Sequence, residues 1–328
     1  MMAKQLRAGV MGLGGISSVH LQQYTQAEGV DLVAGADLRP AAVEAAVEKY
    51  GIQGYADWRE MLDKADLDVV SVCTPPFLHR EMALEAMRRG INVMCETPIA
   101  ASPEDAEAMA DAARTSKALL MIAYCHRWHP TILKTKELID AGTLGKPLLY
   151  RCAFAGWIEF ADNHRAVKAQ SGGGALMDNG SHAADIYQFL LGKIANVSCR
   201  AGTRVQAMET DDEAVVIFEG ENGCYGEILV GYSLPGDHTE FKIVGENGVL
   251  RLGDYFGGPV LFQPKGSGEW TEHAITPGDR FDGEFANFLA AVRGEAKLIS
   301  TAETALHVHR VITAAYADAD RGGMPVPG

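Results

Sequence analysis

Short apolar runs alternate with stretches of helical period along the first third of the chain. They predict strands at 6–11, 32–36, 69–73, 92–95 and 119–124, and helices at 17–26, 40–50, 80–89 and 105–116. Strict alternation of buried strand and helix predicts a parallel sheet covered on both faces. In such a sheet the ligand binds beyond the carboxyl ends of the strands.

After Tyr124 the rhythm changes. A helix is expected at 131–140, then a polar, irregular stretch, then the glycine run Gly172, Gly173 and Gly174 leading into a helix at 175–191. Strand-like segments between 197 and 252, including 214–218, 227–230 and 241–244, are separated by turns such as Glu221-Asn222-Gly223 and Glu246-Asn247-Gly248. These predict hairpin-connected antiparallel sheet. Helices at 283–291 and 302–319 close the chain. The expected fold is therefore α/β: an N-terminal Rossmann domain with a parallel sheet at 1–124, then a C-terminal α+β domain with a mainly antiparallel open sheet at 125–328. A length of 328 residues suits two domains with a cleft between them, because single cores stop growing near ~250 residues.

A formal charge of −14 excludes nucleic acid as a partner, since phosphate binding needs clustered Lys and Arg. A small molecule fits better. No apolar run reaches the ~18 residues of a membrane span, and the N-terminal apolar stretch is too short and glycine-rich for a signal peptide, so a cytoplasmic protein is expected. Cys73, Cys95, Cys125, Cys152, Cys199 and Cys224 are scattered without a C-x-x-C pair, which predicts buried reduced thiols. No metal is expected, because His126 and His129 lack a third nearby ligand.

The first strand runs directly into Gly12-Leu13-Gly14-Gly15-Ile16-Ser17, a G-x-G-x-x-S turn opening a helix. Gly12 permits the tight turn, and Gly14 lets a pyrophosphate approach. Gly15, Ile16 and the helix start offer amide N–H groups and a positive dipole end. Asp37 ends the second strand, where a carboxylate accepts ribose hydroxyls and repels a 2′-phosphate, which favours NAD. Arg39 is placed to pair with that phosphate, so NADP stays open. Thr74, Pro75 and His79 form the third βα turn, rigid where a cofactor ribose would pass.

Three stretches together carry a resemblance. Cys73-Thr74-Pro75-Pro76 with His79, Cys95-Glu96-Thr97-Pro98, and Gly173 to Asp185 with its Asp178 and His182 resemble, in order and over nearly the whole chain, the Gfo/Idh/MocA oxidoreductase family. The resemblance implies an NAD(P)-dependent dehydrogenase or reductase acting on a secondary alcohol or carbonyl of a sugar or cyclitol. It also implies a second domain that binds substrate and forms a homodimer or homotetramer. It puts Glu96 and Thr97 at the coenzyme, Arg127 near nicotinamide and substrate, and His129 or Trp128 in the wall of the cofactor site. Trp157, His164 and Lys168 fall in the stretch that varies with substrate.

Asp178 and His182 lie four residues apart, on one face of the expected helix. Removing hydride from a carbinol carbon requires that the hydroxyl proton leave too, and neutral His182 suits that task near a helix N-terminus. Asp178 anchors a neighbouring hydroxyl and polarises His182. Asp185 either orients that ring or serves as a surface or capping residue. One position departs from the family, which usually reads Glu-Lys-Pro where this chain reads Glu96-Thr97-Pro98. Thr97 has no charge to stabilise a developing alkoxide, and loss of such a group costs about 10²–10⁴ in rate. Two other readings therefore stand beside the enzyme: a dinucleotide-binding sensor with little turnover, and a lyase or hydrolase working by transient oxidation.

Overall fold

The computed structural model describes residues 5–160, 163–253, 255 and 257–322. They divide into two compact units: the chain up to Tyr124 together with Phe281–Leu306, and Cys125–Arg280 together with the chain from His307.

The first unit contains β1 (Leu6–Met11), α1 (Ser17–Gln26), β2 (Val30–Ala36), α2 (Pro40–Tyr50), β3 (Gln53–Tyr55), α3 (Trp58–Lys64), β4 (Val69–Val72), α4 (His79–Arg88), β5 (Asn92–Cys95), α5 (Pro103–Thr115) and β6 (Leu120–Ile122). The six strands are parallel in the order β3-β2-β1-β4-β5-β6. All four residues of β4 are buried, the mark of a strand covered on both faces. Met11 pairs with Ala36 and with Val72, and Val72 with Cys95. The loops after β1, β2, β4 and β5 thus emerge together at the carboxyl ends of the strands, and the strand order reverses between β1 and β4, the place where such sheets bind ligands. β3 and α3 were not anticipated. The local signal for α3 was present: Asp57 caps it by accepting from Arg59 N at 2.8 Å.

The second unit contains α6 (Pro130–Asp140), β7 (Pro147–Ala155), α7 (Lys168–Ser171), α8 (Ser181–Leu191), β8 (Ile194–Gly202), β9 (Glu213–Gly220), β10 (Tyr225–Gly231), β11 (Glu240–Gly245), β12 (Gly248–Leu252), β13 (Val260–Pro264) and β14 (Thr271–His273). α9 (Arg280–Val292) and α10 (Ala302–Asp320) follow. The eight-stranded sheet has the order β14-β13-β12-β11-β7-β10-β9-β8 and is antiparallel throughout except between β7 and β10. β7 lies in the stretch expected to be irregular. Its Leu148 and Leu149 are both exposed, so no clean alternation announced it. β9 alternates as a half-buried strand should, with Ala214, Val216 and Phe218 inside.

The segment 281–306, read from sequence as part of the second domain, packs with the first unit. Phe285 of α9 sets its ring edge-on against His20 at 5.0 Å and Tyr24 at 5.1 Å, and Ser300 Oγ donates to Ile122 O at 2.6 Å. Chain order conceals such a return. The expected single helix over 175–191 is also interrupted, because Leu176–Gly180 forms a π-turn before α8 begins. Gly180 N donates to Ala175 O at 3.1 Å, five residues back. Such turns widen a helix locally and favour functional sites.

Candidate active site

In the first unit the glycine turn is fixed by its neighbours. Gly12 has φ +86°, and a Cβ there would lie 2.8 Å from Thr74 Cγ2 and 2.9 Å from the Cys73 carbonyl. Only glycine fits. A Cβ on Gly15 would meet nothing within 4 Å, so that side of the turn is open. Ser17 Oγ donates back to Gly14 O at 2.5 Å. α1 starts at Ser17, after an Ile16 that supplies no side-chain cap, and has no acidic residue in its first turn, leaving its dipole end to an anion. These features fit the pyrophosphate of a dinucleotide. Gly12, Gly14, Gly15 and Ile16 would hold it.

Asp37 accepts from Leu13 N at 2.7 Å, from Arg39 N and Nε at 2.9 Å each, and from Arg39 Nη2 at 2.9 Å. Burial pushes its pKa up, but the bonds from Arg39 and Leu13 outweigh burial and hold the carboxyl below its ordinary range. Asp37 is thus ionised at neutral pH. Thr74 and Pro75 are half-buried on the neighbouring turn.

His79 corrects the expectation of a cofactor ligand. It is fully buried, with Nδ1 on Pro98 O at 3.0 Å and Nε2 on Thr74 O at 2.8 Å. Burial lowers its pKa. The ring ties the turn after β4 to the turn after β5 and has no face left for a ligand.

A buried chain escaped the sequence reading. His20 Nε2 meets Glu96 Oε1 at 2.8 Å, His20 Nδ1 meets Ser71 Oγ at 2.8 Å, and Ser71 Oγ meets Tyr24 OH at 2.8 Å. Glu96 Oε2 accepts from Thr97 N at 3.1 Å. Glu96 is therefore aimed by His20, and it in turn fixes the half-buried Thr97. The available signal was the pair His20 and Tyr24, four residues apart and so on one face of the helix.

In the second unit the glycine run is demanded by packing. A Cβ on Gly174 would overlap the Asp211 carbonyl, and one on Gly173 would overlap the Tyr316 hydroxyl. Asp211 accepts from Gly174 N and Leu176 N at 2.8 Å each and from Tyr316 OH at 2.5 Å. It thereby supplies acceptors for the opening amides of the π-turn. Downstream, Tyr150 OH donates to Ala183 O at 3.0 Å, fastening α8 to the inner face of the sheet. Tyr187 packs edge-on to Phe218 at 4.7 Å beside it. The helix carrying His182 is held at both ends.

Asp178 Oδ2 accepts from Arg165 Nε at 2.7 Å and from Tyr232 OH at 2.7 Å. Oδ1 accepts no hydrogen bond among the described residues, and the side chain is 19% exposed. Burial raises the Asp178 pKa, yet the charge of Arg165, the bonds from Arg165 and Tyr232, and the charge of His182 outweigh it, and the carboxyl titrates below its ordinary range. One oxygen is clamped and one is open. Arg165 was not singled out in the sequence, and Tyr232 had no local feature requiring a role.

The His182 ring lies 4.7 Å from the ring of His126. His126 Nδ1 pairs with Tyr255 OH at 2.6 Å, and Phe154 stands 5.4 Å away. Burial, with the charges of His182, Arg280 and His129, holds the His126 pKa well below the ordinary imidazole range. His126 is neutral. A neutral aromatic wall suits a proton-accepting imidazole, which a cationic neighbour would oppose.

Arg127 is 3% exposed and grips both oxygens of Asp185 with one edge of its guanidinium, Nε to Oδ2 at 2.8 Å and Nη2 to Oδ1 at 2.5 Å. Asp185 is fully buried, which corrects the surface or capping reading, and it holds Arg127 rather than His182. His129 is 5% exposed, bonded to Thr131 Oγ1 at 2.9 Å and packed 4.9 Å from Tyr255. Trp157 is 53% exposed and bridges to Ser233. His164 sits in a short turn with Arg165, and Lys168 is exposed at the start of α7. The cation at Asp178 is Arg165.

Two family models match, "Oxidoreductase family, NAD-binding Rossmann fold" over residues 6–124 and "GFO/IDH/MocA C-terminal domain" over residues 132–251. The chain is 28% identical to the D-glucoside 3-dehydrogenase of Escherichia coli strain K12, covering 98% of this chain and 97% of that one. It is 28% identical to an inositol 2-dehydrogenase of Klebsiella pneumoniae strain 342, covering 75% and 74%. The WlbA dehydrogenase of Bordetella pertussis, solved with NADH and UDP-GlcNAcA, superposes with a TM-score of 0.87 over 100% of both chains at 23% identity, a likeness of fold. These relatives are dehydrogenases and lend no support to the sensor reading. No helix among the described residues is long and apolar enough to cross a membrane. The chain belongs to the Gfo/Idh/MocA oxidoreductase family and carries its NAD-binding Rossmann domain.

Proposed function

We propose that this chain transfers a hydride between a nicotinamide coenzyme and the secondary alcohol or carbonyl of a sugar, a cyclitol or a derivative. The observation that carries the reading is Asp178, with Oδ2 held by Arg165 and Tyr232 and Oδ1 left to accept a hydroxyl. A polyol has adjacent hydroxyls to offer. Asp178 accepts one of them, while His182 takes the proton from the hydroxyl being oxidised and returns it in reduction. The coenzyme's part is the redox chemistry, acceptance or return of the hydride. The neutral ring of His126 keeps repulsion from His182 low when the latter is protonated. Thr97 carries no proton in this scheme and leaves the acid–base work to His182. Arg127 acts through Asp185, fixing the turn before α6 to α8. Trp157 and His164 belong to the substrate-facing stretch. The dehydrogenase activities named for relatives on glucosides and inositol support the substrate class.

The test is turnover of purified protein over a panel of sugars and polyols, following reduced nicotinamide, with His182→Gln and Asp178→Asn beside it. Each variant is expected to lose about 10²–10⁴ in rate. Coenzyme binding without turnover of any substrate would defeat the proposal.

The second unit also carries a self-association face. Leu149, Tyr225, Ile217 and Val215 share the outer side of β7, β10 and β9 and are exposed. A second copy of the chain is the expected occupant. Ile217→Glu should lower the mass measured by light scattering, and an unchanged mass would remove this face from assembly.

A further inference from the structure

Both donors that clamp Asp178 rest on one aromatic ring. Phe160 stands edge-on to the Tyr232 ring at 4.7 Å, and the Arg165 guanidinium lies over the Phe160 ring at 5.0 Å. Tyr232 OH and Arg165 Nε are the groups that hold Asp178 Oδ2. Phe160 is itself fixed by Gln206. Gln206 Oε1 accepts from Phe160 N at 3.0 Å, while Nε2 donates to Ile158 O at 2.8 Å and reaches Tyr232 O and Ser233 Oγ at 3.2 Å each. A backbone amide only donates and a carbonyl only accepts, so these partners settle which end of the Gln206 side chain is oxygen. One side chain thus ties the segment that carries Phe160 to the segment that carries Tyr232.

Gln206 is anchored in turn by a fully buried carboxylate, that of Asp212. Asp212 Oδ1 accepts from Arg204 N at 2.8 Å, and Oδ2 accepts from Val205 N at 2.8 Å, Gln206 N at 2.9 Å and Ser233 Oγ at 2.9 Å. The Asp212 carbonyl accepts from Tyr232 N at 2.8 Å, and Thr210 Oγ1 donates to Arg165 O at 2.7 Å. Most of residues 203–209 are exposed, so it is these hydrogen bonds, more than apolar burial, that give the loop one conformation. We infer that Gln206 is a positioning residue for the reaction: by fixing Phe160 it sets where Arg165 and Tyr232 hold Asp178, and so where the open oxygen of Asp178 meets the substrate hydroxyl. This role presupposes that Asp178 accepts such a hydroxyl.

The experiment is steady-state kinetics on the full chain, with the best substrate of the sugar and polyol panel, for Gln206→Leu, Tyr232→Phe, the double variant and Asp178→Asn. Gln206→Leu should lower kcat/KM about tenfold, the size of one lost hydrogen bond. The acid limb of its rate profile should move to higher pH. The charges facing Asp178 are those of Arg165 and His182, and a looser Arg165 and Tyr232 hold the carboxyl less far below its ordinary range. In the Tyr232→Phe background the same substitution should cost about threefold or less, since part of what it acts through is already gone. Phe160→Leu removes the ring and leaves the loop intact; it should reproduce the rate loss and the shifted limb, and it decides the matter if Gln206→Leu does not fold. An unmoved acid limb, or Gln206 and Tyr232 effects that multiply in full, would overturn the positioning role while Asp178→Asn still loses turnover. A parent without turnover, or an Asp178→Asn variant as active as the parent, would instead remove the role of Asp178, and that of Gln206 with it.

Discussion

Arg165 Nε lies 2.7 Å from Asp178 Oδ2, in a pair whose arginine is 32% exposed and whose aspartate is 19% exposed. The guanidinium both orients the carboxylate and keeps it ionised, acting against its burial. Arg165→Met should lower kcat/KM about ten- to a hundredfold, the usual size of a lost hydrogen bond to a charged group. It should also raise the Asp178 pKa, moving the acid limb of the rate profile to higher pH. Stability shifts with it: a carboxyl depressed in the native state stabilises the fold above its unfolded pKa and loses that contribution as pH falls through the native value. An acid limb unmoved in Arg165→Met would mean that Arg165 serves packing alone.

The Arg127–Asp185 pair predicts a different outcome, because both partners are buried. Arg127→Met strands a carboxylate in the core and should cost about 3–5 kcal/mol in urea unfolding, whereas Arg127→Met with Asp185→Leu should recover much of that loss. Equal destabilisation of the single and double variants would show that the charges do not act as a pair.

Much of the first unit was legible because most of its strands are carried by short apolar runs, β3 (Gln53–Tyr55) excepted, and the glycine turn sits between a strand and a helix. What escaped was long-range. Nothing local marks Arg165 or Tyr232 as partners of Asp178, separated from it by 13 and 54 residues. His79 was read as a ligand contact from its place in a strand-end loop and Arg127 from the family resemblance, and in the fold both are buried, His79 between the Pro98 and Thr74 carbonyls and Arg127 on Asp185. The π-turn escaped for a local reason: its altered period is invisible to a helical pattern that continues on either side. Asp211, which accepts from the amides that open that turn, lies 35 residues beyond Leu176.

His126 gives a pH signature of its own. Its native pKa is held well below the ordinary 6.5, first by burial and then by neighbouring charges, and that of His79 is lowered by burial. The unfolded chain therefore takes up protons that the native chain refuses, and stability should fall as pH drops through about 6.5. His126→Asn should flatten part of this slope between about pH 7.5 and about pH 5.5, as read from denaturant midpoints. A slope identical to the parent's would show that His126 does not contribute to it.

Two glycines separate nucleotide binding from folding. A Cβ on Gly15 meets nothing within 4 Å, so Gly15→Ala should leave the unfolding midpoint nearly unchanged while weakening coenzyme binding, because the added methyl occupies space a pyrophosphate needs. A Cβ on Gly174 would overlap the Asp211 carbonyl in the second unit. Gly174→Ala should therefore cost about 1–3 kcal/mol or more in stability and leave coenzyme affinity of the remaining folded protein near that of the parent. Calorimetry and urea unfolding on the same preparations would decide. Weakened binding in both variants would mean that the two turns are coupled, and normal binding in Gly15→Ala would remove the open side of the first turn from the coenzyme site.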